Sequence, residues 1–298
     1  MSNAIITTTN LTKEYNGVKV VNDVTLQINQ GEICGLIGKN GAGKTTLMRL
    51  LAGLITPTAG AFAVCPNQER NDTTVSALIE TPSLYLNLSA MDNLKVQARL
   101  LGIQADDQYL LKTLQLVGLK NPTQQVSTFS LGMKQRLAVA LALVGKPSLV
   151  LLDEPTNGLD PQGIMALREL FVKLNRDFGV TFVISSHILS EISKFATSYC
   201  FMHKGRLLKQ VSASEVENSC KKFVKVSVTD ADGAKQILEQ NGFEVKQKGK
   251  DLFVVNQGAQ IVEVVNVLSQ ASIEVENVQT VSQSLEDYFV ALLKGAKQ

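Results

Sequence analysis

The chain has no tryptophan and only two histidines, and charged residues fill 19% of its 298 positions, below the ~25% usual for soluble domains. Its four cysteines, Cys34, Cys65, Cys200 and Cys220, are scattered without a CxxC pair. Neither a zinc site nor a disulfide framework is expected from them, and a reducing cytoplasm fits best. Long hydrophobic runs are missing: the longest, residues 137–144, has eight residues against the ~18 needed to cross a bilayer. Residues 1–11 are polar and lack the apolar stretch of a signal peptide. No sign of charge dominates, since 29 Lys+Arg face 27 Asp+Glu for a formal net charge of +2. That balance argues against a general nucleic-acid binder. Proline is absent after Pro161 and arginine after Arg206. The change of character places a domain boundary near residue 212, and the length accommodates two domains.

What is present alternates between two periods. Residues 32–37, 148–152 and 180–184 are short runs dominated by Val, Ile and Leu, the pattern of strands buried on both faces of a parallel sheet. Residues 44–54, 92–101, 106–117, 131–144 and 161–178 carry helical spacing. This alternation predicts an α/β core over residues 1–212, with about 68–131 as a mainly helical subdomain. Each apolar run ends in polar residues, at 38–46, 153–154 and 185–187. Ligands of open α/β sheets bind at such carboxyl ends. Residues 213–298 read strand (223–228), helix (232–240), hairpin (243–248 and 252–256), helix (259–268) and strand (273–281), closed by a helix at 285–293. That order predicts a small C-terminal α+β domain of ferredoxin-like type. Its acids outnumber its basic residues by one over 221–298, which disfavours nucleic acid there too.

Gly38, Lys39, Asn40, Gly41, Ala42, Gly43, Lys44 and Thr45 match G-x-x-x-x-G-K-[ST] between a predicted strand and a predicted helix. Glycines let the backbone turn tightly and approach a ligand closely. Successive N–H groups, backed by the helix N-terminus, then form an anion nest. Lys44 is expected to reach the β- and γ-phosphates and the Thr45 hydroxyl to hold Mg2+. Thr46 can add a hydroxyl and an N–H. Asp153 and Glu154 end the second apolar run. Acids at a strand end are often simply solvated. Beside a phosphate loop, Asp153 suits a Mg2+ site and Glu154 suits orienting or deprotonating an attacking water.

Four further elements carry a resemblance. Ser130, Leu131, Gly132, Met133, Lys134, Gln135 and Arg136 open a helix shortly before Asp153. Asn157 to Asp160 follow the acids, Ser185, Ser186 and His187 follow the third run, and Tyr15 stands just before Asn16-Gly17. In order and spacing, over roughly residues 4–210, the chain resembles the ATP-binding-cassette (ABC) ATPases. The resemblance implies a P-loop cassette with a mainly parallel core sheet, an N-terminal antiparallel β part and a helical subdomain, with ATP and Mg2+ as ligands. It implies that Tyr15 stacks on adenine and that Ser130 and Gly132 act on the ATP of a second protomer. Asp160 would organise the dimer, and His187 would contact the γ-phosphate or Glu154. Each has a plainer alternative: a surface tyrosine, a helix N-cap, a loop stabiliser and a structural histidine.

Two departures from the family pattern carry information. Leu131 and Met133 replace a glycine and a glutamine of the signature, while Ser130 and Gly132 remain. Glu80 stands where the family places a glutamine, and is read as a Mg2+ ligand or, more plainly, a solvated loop acid. Glutamate keeps the oxygen but loses the amide donor and adds a charge. With these features the chain is similar to ATPase subunits of bacterial peptide-antibiotic exporters, of the bacitracin-resistance and lantibiotic-immunity type. That implies a cytoplasmic protein on the inner face of the membrane, a second ATPase subunit, a separate transmembrane permease and no nucleic-acid partner. An importer subunit and a non-transport ABC ATPase are the competing readings. The tail reads as a dimer-stabilising or regulatory appendage.

Overall fold

Two hairpins set the geometry of the first unit. In the computed structural model, which describes residues 3–65, 75–80, 83–219, 222–254 and 260–295, β1 (Ala4–Tyr15) and β2 (Val18–Asn29) pair antiparallel. Their two-residue turn, Asn16-Gly17, has positive φ at both positions, which matches the twist of the flanking strands. β3 (Ile33–Ile37) is buried at all five residues and leads through 38–43 into α1 (Lys44–Leu51). β4 (Ala59–Val64) returns to the other side of β1, giving the order β2-β1-β4. β5 (Val75–Leu78) then enters the second sheet, so residues 75–78 belong to the core rather than to the helical layer. α2 (Ala90–Leu100), α3 (Asp107–Leu116) and α4 (Leu131–Leu143) follow. The Ser89, Asp106 and Ser130 side chains cap their first turns, as short oxygen-bearing residues do.

β6 (Leu149–Asp153), α5 (Pro161–Phe178), β7 (Thr181–Ser186), α6 (Leu189–Ile192), β8 (Ser198–His203) and β9 (Arg206–Ser212) complete the unit. The six-stranded sheet runs β5-β6-β7-β3-β8-β9 and is parallel except for β9. The expected apolar runs are its centre, covered on both faces, which is why they lack alternation. Leu47, Met48 and Leu50 of α1 are fully buried in one cluster with Leu36, Leu149, Leu151 and Val183 of the strands. Each such side chain contributes about 1.5–3 kcal/mol. The longest apolar run, 137–144, lies at the buried end of α4 and just beyond it. Among the described residues, no helix is long and apolar enough to cross a membrane.

The chain divides into compact units at 213/214. The second unit contains most of α7 (Ala213–Ser219), then β10 (Lys222–Val228), α8 (Ala231–Gln240), β11 (Val245–Lys248), β12 (Asp251–Val254), α9 (Ile261–Gln270), β13 (Val275–Ser282) and α10 (Leu285–Gly295). Its sheet is antiparallel with order β11-β12-β10-β13, the split β-α-β arrangement. Val224, Val226, Leu252 and Val254 pack against Ala234, Leu238, Val264 and Leu268. Cys220 and residues 255–259, which include the end of one expected strand and the start of one expected helix, lie outside the described residues.

Candidate active site

Parallel register brings the polar strand ends together. Ile37 pairs with Ser186 and Asp153 pairs with Ser185, so 38–46, Asp153–Glu154 and 185–187 leave the same edge. The loop before α1 is shaped by close backbone approach. Gly43 has φ +99, and a Cβ there would lie 2.4 Å from the Val20 carbonyl. Gly205 has φ +78 and would place its Cβ 2.6 Å from the same carbonyl. Gly205 also donates to Ala42 O at 3.0 Å and accepts from Asn22 N at 2.8 Å. The β1–β2 hairpin, the loop and the β8–β9 turn therefore meet at van der Waals contact. Unlike α2 to α5, α1 has no side-chain cap; like α4 and α5, it carries no acid in its first turn. Its leading N–H groups are left for an anion.

Lys44 is only 6% exposed. Its ammonium donates to Gly38 O at 2.7 Å and lies 3.4 Å from Glu154 Oε1. Glu154 Oε2 meets His187 Nδ1 at 2.7 Å. Glu154 itself has φ +48, an uncommon conformation for a residue with a Cβ, concentrated at functional sites. Asp153 is held from two sides: the Thr45 hydroxyl donates to Oδ2 at 2.7 Å and the Ser185 hydroxyl to Oδ1 at 2.5 Å. Ser185 also accepts from Glu154 N at 2.9 Å. A threonine hydroxyl and a carboxylate oxygen at this spacing are the hard oxygen donors that Mg2+ takes. The residues present thus fit both a triphosphate and Mg2+.

The other candidates lie around this group. Tyr15 ends β1, half-exposed, with the Lys13 ammonium 5.1 Å from its ring centroid. Glu80 follows β5, has φ +68 and forms an ion pair with Arg49 of α1. Ser130 caps α4 by accepting from Met133 N at 3.3 Å. A Cβ on Gly132 would meet only Leu159 Cδ2, at 3.8 Å, so nothing in its own chain demands glycine there. Asp160 caps α5, accepting from Gly163 N at 3.1 Å. No hydrogen bond among the described residues joins Ser130 or Gly132 to 38–46. Leu131, Lys134 and Asn157 nevertheless line a cavity of about 560 Å³ together with Glu80, Asp153 and Glu154.

The profile of the ABC transporter family matches residues 21–157. The bacitracin transport ATP-binding protein BcrA of Bacillus licheniformis is 38% identical over 301 residues, covering 98% of both chains. The chain belongs to the ABC transporter ATP-binding proteins. The lantibiotic transport ATP-binding protein SrtF of Streptococcus pyogenes is 42% identical over 212 residues, covering 70% of this chain and 91% of SrtF. An ATP-binding subunit of an ABC transporter, 28% identical, superposes with a TM-score of 0.63 over 72% of this chain and 92% of its own. The dimeric MJ0796 cassette bound to ADP and phosphate has the same fold, at 23% identity and a TM-score of 0.62 over 70% and 98%. The β-α architecture is thus the ABC ATPase cassette, and cassettes of this family bind nucleotide.

Within that cassette, two residues escaped the motif reading. Ser185 was part of a matched run without a role, yet it ties Asp153 to the backbone of Glu154. A hydroxyl closing an otherwise apolar strand was the available signal. Arg49 carried no signal, since its partner lies 31 positions away.

Proposed function

We propose that this ABC protein hydrolyses ATP to drive a separate membrane permease that moves a peptide antibiotic of the bacitracin or lantibiotic kind. It would act at the inner face of the membrane and pair with a second ATPase subunit. The observation that carries the reading is the cluster at the ends of β3, β6 and β7. There a buried lysine, an uncapped helix N-terminus and a histidine-bound glutamate converge. Gly38 to Thr46 cradle the phosphates, with Lys44 on the β- and γ-phosphates and Tyr15 against the base. Thr45 and Asp153 hold Mg2+, with Glu80 at the rim, and the ion neutralises phosphate charge when bound. Glu154 accepts the proton of the attacking water, and His187 fixes the orientation of its carboxylate. Ser130 and Gly132 serve the nucleotide of the partner protomer, where an N-cap and an open Cα can approach phosphate oxygens. Asp160 caps α5 beside that surface. The 213–298 unit serves as an appendage to the cassette dimer, and nucleic acid is no part of the reading.

The antibiotic reading is supported by BcrA along nearly the whole of both chains and by SrtF over 70% of this one, and cargo selection belongs to the permease. In purified protein, Glu154→Gln is expected to stop steady-state turnover by at least ~10²-fold while ATP stays bound. Unchanged turnover removes Glu154 from the role. Expression with its permease in a bacitracin-sensitive bacterium is expected to raise tolerance, and Lys44→Ala to abolish the gain. Equal tolerance with both versions overturns the transport reading.

A further inference from the structure

We infer that Arg49 is a positioning residue for the nucleotide site, whose work is to neutralise and hold Glu80. The inference rests on the reading that 38–46 binds Mg·ATP. Its ground is the way one helix face serves two strands. Thr45 and Arg49 are four positions apart on α1, so their side chains lie one above the other. Thr45 binds Asp153 at the end of β6, and Arg49 binds Glu80 just past the end of β5. β5 and β6 are neighbours with Leu78 paired to Leu152. Glu80 and Glu154 each stand two residues beyond that pair, and each has positive φ. The two segments thus leave the sheet at matching points, both with positive φ. The result is a third carboxylate on the cavity that holds Asp153 and Glu154.

Three acids on one cavity would repel a triphosphate. Glutamine at position 80 would add no charge, whereas glutamate adds one, and the guanidinium of Arg49 cancels it. Arg49 has room to do so: it is about one-third exposed and Glu80 about two-thirds. At that exposure the pair stabilises the empty fold little. Its effect appears when a polyanion enters, because an unpaired Glu80 then faces phosphate charge across the cavity. The contact of Arg49 with Glu80 gives it a supporting task and not a direct one on nucleotide or metal. It acts by keeping the Glu80 charge balanced and its carboxylate drawn toward α1.

A double-mutant cycle tests this on the full chain, reading ATP affinity by displacement of a fluorescent ATP analogue, with Mg2+ and with EDTA. Arg49→Ala is expected to weaken Mg·ATP binding about fivefold with Glu80 present and less than about twofold with Glu80→Gln. Arg49→Lys should recover most of the loss, because it restores the charge. The thermal midpoint of the nucleotide-free protein should move little in any variant, which separates a folding defect from a binding one. An equal loss from Arg49→Ala in both backgrounds overturns the inference and leaves Arg49 acting on the helix alone. Failure of the unsubstituted chain to bind Mg·ATP is a different result, and it would remove the function reading itself.

Discussion

The cassette and the C-terminal unit solve opposite problems with the same kinds of element. In the C-terminal unit the sheet is antiparallel, and its charges pair on the surface: Lys225 lies 2.7 Å from Asp251. The side chain of Asp230 caps α8, and Glu263 reaches back to the backbone that opens α9. Among the described residues, local rules are obeyed there apart from Ser272, a non-glycine residue at φ +60 in the turn after α9. In the cassette they are broken at one edge. α1 goes uncapped, Lys44 is buried, and Glu80 and Glu154 sit at positive φ. Where sequence, packing and electrostatics agree, a unit is built for stability; where they disagree, the disagreement marks what a ligand must complete.

The contrast can be broken most severely at the loop. Gly43→Ala forces a Cβ against the Val20 carbonyl. It is expected to abolish ATP binding and to destabilise the cassette by about 2–4 kcal/mol, seen as loss of analogue fluorescence and a lowered first unfolding transition. Leu238→Ala attacks the fully buried core of the other unit. Its expected cost is about 2–4 kcal/mol, read as faster hydrogen exchange across 222–295, with ATP affinity retained. A matched loss of ATP affinity would show that the two units do not differ in the way described. Asp160→Ala removes a cap and should cost about 1 kcal/mol of thermal stability. Asp160→Asn should restore it, since asparagine caps as well. If Asn also restores turnover, the carboxylate has no separate task at a dimer surface.

The smallest effect concerns pH. Hydrogen bonds from Lys225 and Ser227 hold the Asp251 carboxyl below its ordinary range. A carboxyl lowered in the folded state adds stability above its unfolded value, near pH 4, and loses it as pH falls through the folded value. Asp251→Asn should therefore slightly lower hydrogen-exchange protection in 222–295 at neutral pH, where the ionised carboxylate contributes, and flatten the acid limb, with little difference from the unsubstituted protein at the most acid pH.

Much of the site was legible because it is local in sequence. The phosphate loop, the Asp153–Glu154 pair and His187 each end an apolar run, and such a run announces a buried parallel strand. The β-α-β-β-α-β order of the tail was legible for the same reason. What escaped depends on which strand lies beside which. Glu80 could be placed by spacing, but its pairing with Arg49 requires β5 to lie beside β6 and α1 to present that face. The strands β4 and β9 alternate too weakly to announce themselves, because β4 has no fully buried residue and β9 is an antiparallel edge. For Asp160 and Ser130, sequence could not separate a cap from a contact with another protomer. The structure shows the caps, and an oxygen that caps a helix remains available to the proposed contact with another protomer.

The meeting of Gly43, Val20 and Gly205 has a consequence in time. The phosphate cradle is encoded by residue 46, but its backing carbonyl is enclosed only when the β8–β9 turn arrives about 160 residues later. β3 likewise lies between β7 and β8, both far downstream. During synthesis from the N-terminus, the chain carries a complete phosphate-loop sequence long before it can form the loop's walls. Nucleotide can then reward only a nearly finished cassette. ATP bound at the proposed site would therefore stabilise a chain that has already added β7 to β9, and not the early chain.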